Sequence, residues 1–194
     1  MTDATPAALP TLGDLSWEPA LERPDLLAPA VLAALRAWAA TDPRVAAQVA
    51  VTEIDPEHAD TATLNEVHAL PPEASANCVV VAGRRGEDER VAACVVRATT
   101  FADVNNRVRR LLDVRKASFL PMDRATSESG MEYGGITPVG LPAAWRVLVD
   151  ARVIEPGSLA LMGSGVRRSK LLMPGELLAG MPDVEVVEDL GVER

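Results

Sequence analysis

Residues 130–142 read GMEYGGITPVGLP, four glycines and two prolines in thirteen positions. Such a run cannot lie inside a regular helix or a central strand. Gly admits backbone angles that other residues avoid, while Pro fixes its own and has no N–H. The segment is therefore a stiff loop. Apolar, β-branched segments follow it, RVLVD at 146–150 and SLALMG at 158–163, which predicts that a sheet holds it. The adjacent Gly134 and Gly135 can bring bare backbone N–H groups close to a ligand, with the hydroxyl of Thr137 and the rigid Pro138 next in line. A rigid scaffold presenting such a loop suits a small-molecule or oxyanion site. A tight structural turn accounts for the same residues equally well.

The 194 residues, 48% hydrophobic, suffice for one domain with a substantial core. Residues 1–24 are rich in Pro, Ala and acids and predict an extended N-terminal arm, leaving a single domain over 25–194. No run reaches the length of an apolar membrane span, and MTDATPAALPTLGD lacks the basic start and hydrophobic segment of a secretory signal. A soluble, cytoplasmic protein is the expectation. Aromatics at 3% make a base-stacking platform a poor explanation of the chain. A net charge of −9 argues against a general nucleic-acid coat. Basic residues still gather locally, at Arg84 and Arg85, from Arg107 to Lys116, and at Arg167, Arg168 and Lys170. That rim is compatible with touching one end of a nucleic acid, although solvated charge explains each cluster as well.

Cys78 and Cys94 have no metal-ligand spacing and read as reduced core thiols. They occupy two strand-like runs, NCVVVAG and RVAACVV, joined by the charged turn GRRGEDE. A hairpin symmetric about Gly86 would set them face to face. His58 and His68 are too few for a typical zinc site and read as surface or boundary residues. No metal and no cofactor are expected.

Leu27, Val31, Leu35 and Trp38 recur at helical spacing after Pro24, with Asp25 as a cap and Pro43 as the stop. A strand over 45–54, a short helix over 56–68, a break at Pro71-Pro72 and the hairpin at 77–97 follow. A helix over 102–113 carries Val104, Val108, Leu111 and Leu112. KASFL reads as a strand and MDRATSESG as a helix leading into the glycine loop. Two strands, the turn GSGVRRS, a strand KLLM, a helix PGELLAG and a last strand VEVVE complete the order. Strands and helices interleave without a strict βαβ rhythm. The expected fold is α+β, a curved, barrel-like mixed sheet flanked by helices. Phosphate-loop, dinucleotide and hydrolase-elbow motifs are all missing.

This order of pieces, NCVVVAGRRG with RVAACVV, a helix, KASF, a short acidic helix, GGITPVGLP, VLVD and a late GSG turn, resembles the YbaK/EbsC family. These are free-standing relatives of the editing domain of bacterial prolyl-tRNA synthetases, and the match spans roughly residues 25–190. The resemblance implies an aminoacyl-tRNA deacylase that touches only the acceptor end of its transfer RNA and removes a wrongly attached amino acid from the terminal ribose. It places Gly134 and Gly135 at the scissile ester and Thr137 and Pro138 beside them. Asp150 would orient a ribose hydroxyl or a water, and Gly163, Ser164 and Gly165 would form a second small-residue turn at the pocket.

One position departs from the family pattern, which carries a lysine at the start of the first hairpin strand. Here the stretch is Ala76-Asn77-Cys78-Val79, so Ala76 stands where the cation belongs. Lys116 at the start of KASF, Lys170 after the second glycine turn, or an arginine at 167–168 could supply charge, and Asn77 a neutral hydrogen bond. An alternative follows from that loss: a weakened or inactive module that binds an aminoacyl-adenosine-type ligand or an aminoacyl-tRNA synthetase.

Overall fold

Two sheets with apolar faces on both sides organise the chain. The computed structural model describes residues 8–193. Along it run β1 (Glu18–Pro19), α1 (Pro29–Thr41), α2 (Arg44–Gln48), β2 (Ala50–Glu53), α3 (Thr61–Val67), β3 (Ala76–Arg85), β4 (Asp88–Arg97) and β5 (Thr100–Ala102). Then come α4 (Arg109–Leu111), β6 (Ala117–Phe119), α5 (Met122–Ser129), β7 (Arg146–Asp150), β8 (Leu159–Gly163), β9 (Ser169–Pro174), α6 (Gly175–Ala179), β10 (Val184–Val187) and β11 (Gly191–Glu193). One sheet has the order β1-β2-β9-β8 and is antiparallel throughout. The other, β10-β7-β4-β3-β6, is mixed, with β7 parallel to both β4 and β10. β5 and β11 pair as a small ribbon. The fold is the expected mixed α+β arrangement, and its sheets do not close into a barrel.

Period-two alternation sorts the strand residues into layers. Val147 and Val149 of β7 join Val51, Ala160, Met162, Leu171 and Met173 in a core between the sheets, together with Val31, Leu35 and Trp38 of α1. Leu148, between the two valines, points the other way, to Val81, Cys94, Val108 and Leu112. Leu172 likewise leaves the central core for a third cluster with Ala50, Leu64 of α3 and Leu161. A fourth, with Val80, Val91 and Trp145, seats Ala125 of α5. Strands buried on both faces read as continuous apolar runs, as RVLVD and SLALMG do.

Several boundaries move from the sequence expectations. The first helix starts at Pro29, not near Asp25, because a residue before proline is kept out of the helical region: Ala28 has ψ 149°. Asp25 instead pairs with Arg23. The expected strand 45–54 begins as helix α2, whose entry is held by the Asp42 carboxylate accepting from Arg44 N–H at 3.0 Å. The expected helix 102–113 is a strand end, then a wide π-turn over Val104–Val108 capped by Asp103, then α4. The hairpin turns on two residues, Gly86 and Glu87, so Cys94 faces Val79 and Cys78 faces Val95. That one-residue shift puts the thiols on opposite faces of the sheet, in different cores. Of the expected arm, residues 1–7 lie outside the described residues. Leu9, Leu12, Leu15 and Trp17 pack against the third cluster, and β1 extends the first sheet.

The strand pairing itself opens a gap. One edge of β3 is fully paired with β4. On the other edge β6 pairs only with Val81–Gly83, and the bridge to β8 is made by Ser75, just before β3, with Leu161. Residues 76–79 carry no strand partner on that side.

Candidate functional site

That gap is the floor of a cleft of about 870 Å³. Its walls come from the loop and first turn of α3 (Ala59, Asp60, Thr61), the start of β3 (Ser75–Val79), the glycine loop (Tyr133, Gly134, Ile136), the end of β8 (Leu161–Gly163), and Arg167 and Lys170. Ala76, Asn77, Gly134 and Gly163, all singled out from the sequence, meet here. Asn77 accepts a hydrogen bond from Thr61 Oγ1 at 2.7 Å.

The glycine loop is built by backbone contacts. α5 ends on Gly130 at φ +67°, whose N–H donates to Thr126. Glu132 N–H donates to Gly165 O at 2.9 Å, and Gly165 N–H returns a bond to Gly135 O at 2.8 Å. Gly134 sits at φ +83°, in the region that favours glycine. Among the described residues neither its N–H nor that of Ile136 is hydrogen-bonded.

Gly135 differs from its neighbour. Its N–H donates to Glu132 O at 3.0 Å, and a Cβ there would meet the Val166 backbone at 2.7 Å. It does not line the cleft. The sequence expectation of two open glycine amides is thus corrected to one from the pair, with Ile136 beside it.

Four other expected residues support the loop from behind. Thr137 and Pro138 are buried beneath it, and Thr137 Oγ1 has no hydrogen-bond partner. Ser164 Oγ lies 2.6 Å from Ser169 Oγ, and Gly165, at φ +87°, packs on Ala28 and Val31. None of the four lines the cleft.

Asp150 and Lys116 stand elsewhere. Asp150 caps the helical turn after β7, accepting from Arg152 N–H at 2.9 Å, from the Arg152 side chain and from Gly191 N–H at 2.6 Å. Burial works against its ionisation, yet the Arg152 side chain and the two backbone donors outweigh that and hold its carboxyl below the ordinary value. Its oxygens are engaged, so the expected role toward a ribose or a water is not available to it. Lys116 borders a separate depression of about 380 Å³ with Arg84, Arg115 and Arg124. Ala117 beside it pairs with Gly83, seven residues along β3 from Ala76, or roughly 23 Å at strand rise.

Sequence reasoning gave Lys170 no more weight than Lys116, yet Lys170 is the lysine in the cleft. It is 6% exposed, and its ammonium donates to Ala59 O at 2.7 Å and to Gly134 O at 3.4 Å. Burial lowers its pKa to about 8, against an upward pull from Asp60, with Arg167 lowering it further. The available signal was its place as the single charged residue of an otherwise apolar strand, SKLLMP. At the mouth, Tyr133 is 62% exposed and the Arg167 guanidinium lies 5.9 Å from its ring centre. Cys78 also borders the cleft, and burial pushes its thiol pKa up, which suppresses the thiolate needed for attack. Among the described residues no three His, Cys, Asp or Glu side chains gather into a metal-holding cluster, and no helix is long and apolar enough to cross a membrane.

The model of the aminoacyl-tRNA editing domain matches residues 55–180, more than half of the chain and every segment that lines the cleft. The crystal structure of a hypothetical protein is similar with a TM-score of 0.67 at 14% identity, over 81% of this chain and 99% of that one. A proposed trans-editing enzyme for prolyl-tRNA synthetase is similar with a TM-score of 0.65 at 14% identity, over 84% of this chain and 97% of its own. At that identity the likeness is one of fold. No curated protein matches the sequence.

Proposed function

The chain belongs to the aminoacyl-tRNA editing domain family, and we propose that it is a trans-acting deacylase that hydrolyses the ester joining a wrong amino acid to the terminal ribose of a transfer RNA. The observation that carries this reading is Gly134, which lines the cleft with an N–H that no carbonyl engages. An ester attacked by water develops negative charge on its carbonyl oxygen, and a preorganised donor there is worth roughly 10²–10³ in rate. Ile136 N–H, also at the wall and also unengaged, is the second donor. Water is the nucleophile in this reading, and the Cys78 thiol at the cleft, its pKa pushed up by burial, is poorly suited to take its place. The pocket encloses the amino acid and terminal ribose, and Tyr133 at its mouth offers a face to the last base. Only the acceptor end of the RNA is engaged, in keeping with the acidic balance of the rest of the chain.

A panel of correctly and incorrectly charged transfer RNAs tests this. Hydrolysis of at least one mischarged species is expected, slowed by Gly134→Val. A panel left intact at high enzyme concentration removes the reading. An uncharged residue, Ala76, at the start of β3 in the cleft lining favours a second one, a module that binds an aminoacyl-adenosine-type ligand or a synthetase without turnover. Retained ligand binding beside an intact panel is its signature.

A further inference from the structure

We propose that Lys170 is a catalytic residue of this cleft, its ammonium donating a hydrogen bond to an oxygen of the aminoacyl-ribose ester while it tethers the glycine loop through Gly134. The proposal rests on the deacylase reading and adds a residue to it.

Lys170 occupies the middle of the first sheet, paired with Thr52 of β2 on one side and Gly163 of β8 on the other. Alternation along β9 sets it on the face of Leu172, toward Ala59 and Leu64, where apolar side chains dominate. A lysine there is expensive. Removing an ammonium from water is unfavourable unless charge and hydrogen bonds replace the lost hydration. Among the described residues no carboxylate forms an ion pair with it, and its acceptors are two neutral carbonyls. A Met or Leu would fill the same space without that penalty.

An ammonium has three N–H donors. Two are directed to Ala59 and Gly134, which leaves a third uncommitted on a residue that lines the cleft together with Asn77, Gly134 and Gly163. Gly163, opposite on the neighbouring strand, carries no side chain, and the main chain of the glycine loop packs into that space, which brings the loop up against the strand pair that holds Lys170. The bond to Gly134 O also ties the cation to the residue whose N–H is the open donor. Ammonium and amide thus belong to residues that line the same cleft and are linked by that bond, and stabilisation of a developing oxyanion calls for donors of this kind. The charged neighbours acting on Lys170 are Asp60, before α3, and Arg167, on the turn before β9. At neutral pH the group remains mainly a cation.

The chain contains two lysines, Lys116 and Lys170, so isotope labelling at lysine gives two side-chain NMR signals, assigned with Lys116→Arg. Titration of the full chain with 3′-alanylamido-3′-deoxyadenosine, which cannot be hydrolysed as an ester, is expected to move the Lys170 signal and leave that of Lys116 in place. In single-turnover deacylation, Lys170→Met is expected to slow the reaction about 100-fold or more, with analogue binding changed less than threefold. The wild-type advantage over Lys170→Met should shrink as pH rises above 8. The proposal is overturned if Lys170→Met hydrolyses within threefold of wild type, or if the analogue binds without moving the Lys170 signal. Those results leave the deacylase reading standing. A wild-type protein that neither hydrolyses any charged RNA nor binds the analogue removes both. Should Lys170→Met fail to fold, the wild-type titration still decides.

Discussion

The carbonyl oxygen of Gly135 lies 2.2 Å from where a Cβ at Gly163 would stand, with Ile136 O at 2.7 Å from the same point. Both obstacles are backbone, so neither can swing aside as a side-chain tip would. The end of β8 and the glycine loop are therefore in contact through bare main chain. Gly163→Ala must push the loop outward, at a cost typical of overpacking, about 1–3 kcal/mol. Urea denaturation should show that loss, and deacylation should fall with it because Gly134 moves with the loop.

Gly134 and Gly135 should separate under the same substitution. At Gly134 an added Cβ meets the flexible Arg167 side chain at 3.0 Å, and the backbone lies at φ +83°. Gly134→Ala is expected to cost about 1–2 kcal/mol through left-handed strain alone, while disturbing the cleft wall. At Gly135 the neighbour is the Val166 backbone at 2.7 Å. Gly135→Ala should lose more stability, and its rate loss should track unfolding. Melting curves beside single-turnover rates distinguish the two, and equal behaviour would contradict the assignment of different roles.

Local rules made much of this legible in the sequence. The glycine loop, its preceding helix and the strands RVLVD and SLALMG declare themselves through turn residues and apolar runs. What stayed hidden depends on tertiary pairing. The sequence does not reveal that Glu132 O takes Gly135 N–H while Gly134 N–H stays open. Asp150 follows a strand near the loop in the chain, yet Gly191, contributed by the distant strand β11, accounts for one of its oxygens. Lys116 and Lys170 look alike on paper. They separate only because β6 joins β3 at Val81–Gly83 while β9 runs beside β8 at the cleft.

Asp150 should behave as a structural cap. Its carboxyl is held below its ordinary value in the folded chain, so its contribution is fully present above the unfolded value of about 3.9 and is lost as pH falls through the lower folded value. Asp150→Asn is expected to lower stability at pH 7 by about 1–3 kcal/mol, with the difference from wild type closing as pH drops below about 4. The deacylation rate of the folded fraction should stay within threefold. A large kcat loss with full stability would restore Asp150 to the site.

Tyr133 should act on binding and not on chemistry. Stacking of one base on an aromatic ring is worth about 1–3 kcal/mol, and this ring is largely exposed at the mouth beside Arg167. Tyr133→Ala should raise KM for charged RNA about tenfold or more with kcat little changed, and Tyr133→Phe should match wild type. Equal KM values for all three would exclude contact with the terminal base.

Stability against pH gives a reading on Lys170 that needs no substrate. Its pKa falls from 10.5 to about 8 on folding, chiefly through burial. Between those values the unfolded chain binds more protons at this site than the folded one, so folding stability must rise with pH across that window. Lys170→Met has no such group. The wild type is therefore expected to be less stable than Lys170→Met at pH 7 and to recover on the order of 3 kcal/mol relative to it by pH 10.5. Urea titrations of both proteins at pH 7, 8, 9 and 10 measure the difference. A flat difference would mean that the ammonium titrates normally and is solvated in the folded protein. A wild type already more stable at pH 7 would mean that Lys170 contributes to the fold and that its burial needs no functional explanation.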